Sequence, residues 1–218
     1  MRIVLASRSP RRRDFFRLLG LDFVADSSDA AEDIAGDQTP AEAVRALSQR
    51  KARAVAARHP DALVVGADTI VVLDGEILGK PADRDEAVAM LRRLRGQEHD
   101  VLSGVTLILP SGLEITECAE SRVVMRNYSD AEIAAYVDSG DPMDKAGAYA
   151  IQNHVFRPVA QIEGCYANVM GLPLCHLARA FWQAGAPLDV DVPMLCRAET
   201  GYPCTVYPQY WPGRRPRR

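Results

Sequence analysis

The chain has 218 residues, 48% of them hydrophobic, enough for a sizeable core in one α/β unit. A formal charge of -3 and a pI near 5.8 argue against a general nucleic-acid or membrane-surface binder, and no apolar run approaches a membrane span. Basic charge is local instead: Arg2, Arg8, Arg11, Arg12 and Arg13 crowd the first turns, and Arg214, Arg215, Arg217 and Arg218 lie at the far end.

The run Ile3 to Ala6 is too short for a signal-peptide core and is followed by arginines, so a cytoplasmic protein is expected. Five cysteines with no C-x-x-C pair read as reduced thiols, and His59, His99, His154 and His176 lack ligand spacing. Ile3 to Ala6 itself reads as a buried strand. Ser9-Pro10 then opens a helix to Leu19, with Phe15, Phe16, Leu18 and Leu19 on its apolar side and Gly20 as its stop. Ser7, Ser9, Arg11 and Arg12 meet at this strand-to-helix junction, where free backbone N–H groups and the helix dipole favour an anion. The junction is either a phosphate cradle without Walker glycines or a solvated basic helix start.

Phe23 to Asp26 is a short strand, followed by an acidic loop with Asp29, Glu32, Asp33 and Asp37. Thr39-Pro40-Ala41-Glu42 has the form of a capping box for a helix that Pro60 must end. Its apolar face runs through Val44, Leu47, Ala54 and Val55, and Lys51 shares that face, so its amine should emerge at the edge of the core. Such a lysine either snorkels to solvent or borders a cleft.

Leu63 to Leu73 places two β-branched runs around a carboxylate at Asp68. A strand apolar on both faces belongs inside a sheet, where an acid must take up a proton or find a cation, metal or donor set. The alternative is an Asp capping a turn between two short strands. Asp74-Gly75 signals a type I′ hairpin that folds the chain back through Glu76 to Leu78 and brings Lys80 near Asp68. Asp83 and Glu86 cap a structural helix ending at Gly96. Asp100 to Leu109 and Leu113 to Met125 form a long hairpin around Ser111-Gly112, and Ser129 to Glu132 caps a helix closed by Gly140.

Asp144 to Gln152 is a small-residue loop in which Lys145 and Gln152 offer donors. Val159 to Ile162 reads as a strand, and Gly171-Leu172-Pro173 starts a last helix that stops at Gly185. Beyond Ala186, prolines at 187, 193, 203, 208, 212 and 216 among Tyr202, Tyr207, Tyr210 and Trp211 read as an extended appendage. A division into a domain over 1–189 and an extension over 190–218 follows.

A phosphate cradle, two acids (Glu32 and Asp68) and three lysines (51, 80 and 145) fit phosphoryl transfer. Spacing alone leaves kinase, phosphatase and nucleotide pyrophosphatase open. The motifs Ala6-Ser7-Arg8-Ser9-Pro10-Arg11-Arg12, Glu32 with Pro40, Lys51-Ala52, Gly66-Ala67-Asp68-Thr69, Gly79-Lys80-Pro81, Asp144-Lys145-Ala146-Gly147 through Ile151-Gln152, and Asn168 to Pro173 resemble, in order, those of the Maf family. That family comprises nucleoside triphosphate pyrophosphatases also described as septum formation inhibitors.

The resemblance implies an α/β, two-lobed Maf/ITPase-like fold: an elongated, twisted mixed sheet flanked by helices, with a nucleotide cleft. It implies hydrolysis of dTTP and UTP, and of modified pyrimidine nucleotides, to the monophosphate and pyrophosphate with a divalent metal cation (Mg²⁺, Mn²⁺ or similar). Asp68 would accept the proton and, with Glu32, hold the metal. Ser7, Arg11, Arg12, Lys51, Lys80 and Lys145 would bind the triphosphate, while Arg11, Thr69 and Gln152 match the dTTP/UTP branch. The alternatives are the related 7-methyl-GTP branch and a nucleotide-sensing cell-division regulator with little turnover. The expected partner is the nucleotide, without stable nucleic-acid binding or a membrane, and with a homodimer left open. Asn153 stands where the family more often has glycine, a change that would tighten the base pocket.

Overall fold

In a computed structural model, which describes residues 1–28, 30, 33–34, 36 and 38–210, the strand bearing Asp68 runs unbroken from Leu63 to Leu73 (β3). A turn between two short strands is thereby ruled out. Around β3 the sheet takes in Ile3–Ala6 (β1), Phe23–Ala25 (β2), Glu76–Leu78 (β4), Glu98–Ile108 (β5), Glu114–Met125 (β6) and Val159–Glu163 (β7). The order is β2-β1-β3-β5-β6-β7, with β4 also on β3. The pairs β1–β2 and β1–β3 are parallel and the others antiparallel, a mixed sheet as the α/β expectation required.

One edge of β3 explains the cleft. Leu63 to Gly66 pair with β1, and Val71 to Leu73 pair with β4. Among the described residues no strand pairs with Ala67 to Ile70 on that side. Asp74 and Gly75 both have positive φ, as the hairpin that returns the chain through β4 demands.

The gap also divides the core. Leu63, Val65 and Ala67 join a cluster with Phe15 and Phe16 of Pro10–Leu18 (α1) and Leu177 and Phe181 of Leu174–Gln183 (α6). Val71 and Leu73 join another with Leu91 and Leu94 of Arg84–Leu94 (α3) and Ile133 and Val137 of Asp130–Asp138 (α4). These two apolar bodies are the two lobes, and β3 crosses between them at Asp68.

On the other face of β3 lies Pro40–Ala56 (α2), which starts at a capping box in which Thr39 and Glu42 bond reciprocally. Val44 and Leu47 pack on Ile70 and Val72. Two glycines bring this helix down onto the sheet: a Cβ on Gly66 would lie 2.5 Å from Ser48 O, and one on Gly104 would lie 2.4 Å from Val44 O.

Among the described residues, 187–210 are not an extended appendage. Val192–Thr200 (α7) is capped by the Asp191 side chain, has proline in its first turn, and buries Val192 and Cys196 against the α6 cluster. Tyr202 stacks on Tyr166 of the short helix Tyr166–Val169 (α5) with ring centroids 5.5 Å apart, and its hydroxyl donates to Ile162 O (3.2 Å). Tyr207–Tyr210 (α8) adds a last contact to α6, with Tyr210 stacked on His176 at 4.1 Å. Local capping chemistry and aromatic contacts outweigh the proline-rich composition here. Among the described residues no helix is long and apolar enough to cross a membrane.

Candidate active site

A cleft of about 540 Å³ opens where β3 loses its neighbour, within the range of small-molecule sites. Arg8, Arg11, Arg12, Lys51, Lys80 and Lys145 line it, against two described carboxylates, Asp68 and Asp144. Ser7, Thr69 and Gln152 line it as well. The structure therefore brings together all the sequence-predicted site residues except Glu32, which lies outside the described residues.

Asp68 and Lys51 form the pair at its floor. Close packing of α2 over Gly66 sets Lys51 above β3, and Lys51 Nζ donates to Asp68 Oδ1 at 3.0 Å. Their side chains are 13% and 14% exposed, so the pair is sheltered but reachable. A carboxylate keeps further lone pairs beyond this one bond for a water or an ion.

Arg12 lines the cleft and is also tied into its wall. Its guanidinium fills the unpaired edge of β3: Nη1 donates to Ala67 O (2.8 Å) and Ser7 Oγ (3.4 Å), Nη2 to Thr69 Oγ1 (3.1 Å), and Nε to Gly171 O (2.8 Å). These bonds tie α1, β3 and the turn before α6 into one wall. Thr69 Oγ1 also bonds Ser103 Oγ (2.7 Å), and Ser103 donates to Asn168 O (3.2 Å). Asn168 Nδ2 in turn donates to Val101 O (2.8 Å) and Ser121 Oγ (2.9 Å). Thr69 is thus held by a buried polar chain reaching into the core. Ser103 and Ser121 carry no sequence signal, because hydroxyls on a long strand ordinarily face water.

The opposite wall is the loop holding Lys145 and Gln152. Gly147 donates from its N–H to Gly79 O (3.0 Å), which couples this loop to the exposed Lys80. Lys145 links two short 3₁₀ turns, Asp141–Asp144 and Ala146–Ala148, and within and at the end of the second Gly147 and Ala148 both have positive φ, reversing the chain tightly. Lys145 is buried, and its ammonium donates to Asp141 Oδ1 (3.0 Å), Asp144 Oδ1 (2.6 Å) and the Asp141 carbonyl. Asp141 Oδ2 accepts from Tyr136 Oη (2.7 Å) and Asn153 Nδ2 (3.1 Å). Burial works to raise the Asp141 carboxyl, but the bonds from Tyr136, Lys145 and Asn153 outweigh it and hold it below the ordinary carboxylate value.

Asn153 itself does not line the cleft. Its Oδ1 accepts from the N–H groups of Val155 (3.1 Å) and Phe156 (2.7 Å), the local capping bonds for which Asn suits a turn. Tyr149, which no sequence motif marks as a site residue, lines the cleft and bonds His99 Nε2 at 2.8 Å. Burial pushes His99 down to about 4, so it supports Tyr149 as a neutral ring at ordinary pH.

Residues 2–184 match the model of the family described as Maf-like protein. The chain is 50% identical over 177 residues to a dTTP/UTP pyrophosphatase of Pelotomaculum thermopropionicum, covering 81% of this chain and 93% of the relative. It is 47% identical over 186 residues to one of Symbiobacterium thermophilum, covering 85% and 95%. It is 50% identical over 189 residues to one of Salinibacter ruber, covering 85% and 92%.

Proposed function

The chain belongs to the Maf-like protein family, and from that premise we propose that it is a nucleoside triphosphate pyrophosphatase acting on dTTP and UTP in the cytoplasm. Water adds to the α-phosphorus, the bond to the bridging oxygen breaks, and the products are the nucleoside monophosphate and pyrophosphate. The observation that carries this reading is the Lys51–Asp68 pair, 3.0 Å apart at the floor of a cleft lined by cations.

In this reading Asp68 orients the attacking water and takes its proton. Lys51 keeps the Asp68 carboxylate in place and faces the charge that builds on the phosphate oxygens. Arg11, Lys80 and Lys145 draw the triphosphate into line. Arg12 acts from behind, fixing Ser7 and Thr69 where the nucleotide meets the wall. Thr69 and Gln152, on opposite walls, would read the pyrimidine.

The oxygen donors of the cleft fit a hard divalent cation such as Mg²⁺ or Mn²⁺. Among the described residues there is no group of three His, Cys, Asp or Glu side chains for an all-protein cage. One or two carboxylates plus substrate phosphates are a common way to hold Mg²⁺, and Asp68 would be the ligand here, with Glu32 the sequence-based candidate beside it. The ion would neutralise phosphate charge in the bound nucleotide.

The test is product analysis with Mg²⁺ or Mn²⁺ across dTTP, UTP, the other canonical triphosphates and 7-methyl-GTP. The expected result is monophosphate and pyrophosphate, fastest from dTTP and UTP. Preferential cleavage of 7-methyl-GTP would overturn the base assignment, and nucleotide binding without turnover would overturn the enzymatic one.

A further inference from the structure

The hydrogen bonds of Lys145 raise a question about how it can meet a phosphate. An ammonium has three N–H donors, and all three are engaged, by Asp141 O, Asp141 Oδ1 and Asp144 Oδ1. The two aspartates are not equivalent. Asp141 is anchored by Tyr136 and Asn153 and lies in the part-buried base of the loop. Asp144 is 60% exposed, lines the cleft, and meets at its other oxygen a loose approach of Arg11 Nη1 to Oδ2 at 3.8 Å. Its carboxylate thus bridges two cations on opposite walls, Lys145 through one oxygen and Arg11 through the other, as two oxygens of a phosphate would.

We propose that Asp144 is an internal stand-in for substrate phosphate. An arriving di- or triphosphate displaces it, takes over the third Lys145 donor and the facing Arg11, and turns the carboxylate out to solvent. Asp141 keeps the buried Lys145 charge compensated throughout, so the exchange leaves no unpaired ion. Two features make Asp144 the group that leaves: it has the greater exposure, and the backbone at Lys145 is extended, so Asp144 sits at the end of a 3₁₀ turn and is not locked within a helix.

This inference rests on the proposed nucleotide chemistry, and its test separates the two. Binding of inorganic pyrophosphate is measured calorimetrically, with chelator present, for the wild type, Asp144→Asn and Asp144→Ser; steady-state kinetics with dTTP are run alongside. Neutralising Asp144 should tighten pyrophosphate binding by about fivefold, the scale of an exposed ion pair, and lower KM in proportion, with kcat changed less. Unchanged or weaker pyrophosphate binding in both variants would overturn the stand-in role. A rise in KM with altered metal dependence would overturn it too, identifying Asp144 as a cation ligand. If the wild type fails to cleave dTTP while Asp144→Asn still tightens pyrophosphate binding, the activity reading fails and the displacement stands.

Discussion

Gly66→Ala is the perturbation that most severely strains the link between fold and chemistry. A Cβ at this position would lie 2.5 Å from Ser48 O, 2.7 Å from Ala52 N and 2.8 Å from Ala52 Cβ, whereas ordinary contact begins near 3.4 Å. Two of these atoms belong to the α2 backbone, so no side chain can rotate away and the helix itself must lift by close to an ångström. Overpacking of this kind costs about 1 to 3 kcal/mol. For a chain of this size that corresponds to a melting temperature lower by roughly 2 to 12 °C. Lys51 precedes Ala52 on the displaced turn, and a shift of about 1 Å in a catalytic group lowers kcat by roughly a hundredfold. Thermal unfolding and dTTP turnover on the same preparation check both halves. An unchanged melting temperature would refute the steric argument. A lowered one with wild-type kcat would refute the claim that helix height sets the Lys51–Asp68 pair.

Three further outcomes follow from the same geometry. Burial pushes His99 and His176 each down to about 4, while in the unfolded chain they titrate near 6.5. The unfolded state therefore binds protons first, and as pH falls from 6.5 towards 4 each histidine removes up to about 3 kcal/mol of stability. The two ring nitrogens of His176 are buried without partners. His176→Phe should keep the stack on Tyr210 and lose about half of this acid sensitivity in denaturant melts at pH 7 and pH 4.5; an undiminished acid loss would contradict it. Tyr202→Phe should cost about 1 kcal/mol through the lost bond to Ile162, and Tyr202→Ala about 2 kcal/mol through the lost stack as well. Wild-type stability in both variants would show that residues beyond 186 do not pack as described.

Much of this arrangement is legible in the sequence wherever the signal is local. The capping boxes at Thr39–Glu42 and Ser129–Glu132 form as their spacing predicts, because both partners lie within one turn. The Asp74-Gly75 turn and the apolar alternation of Leu63 to Leu73 likewise carry their geometry with them. Helical spacing places Lys51 at a core edge, but its pairing with Asp68 depends on two glycines of different strands meeting one helix, which no local pattern encodes. Sequence marks Arg12 as a phosphate ligand but cannot reveal that a strand partner ends at Gly66 and leaves Ala67 O, which Arg12 also satisfies. Composition misleads in the segment beyond 186, where Asp191 and Pro193 repeat the cap-and-proline pattern of the earlier helices. That signal is present in the sequence and is outweighed by the prolines around it.

The central claim is that Asp68 activates water for attack at the α-phosphorus. It is tested most directly by pyrophosphate release from dTTP and UTP, with Asp68→Asn compared against the wild type at saturating Mg²⁺ or Mn²⁺. The amide preserves the shape of the side chain and can still accept from Lys51, so the fold should stand while the group can no longer take a proton. The account predicts an intact melting curve, retained nucleotide binding, and kcat lower by at least about a hundredfold, the scale of a lost general base. Turnover by Asp68→Asn within a few-fold of the wild type would contradict it, and the base would have to be sought elsewhere in the cleft.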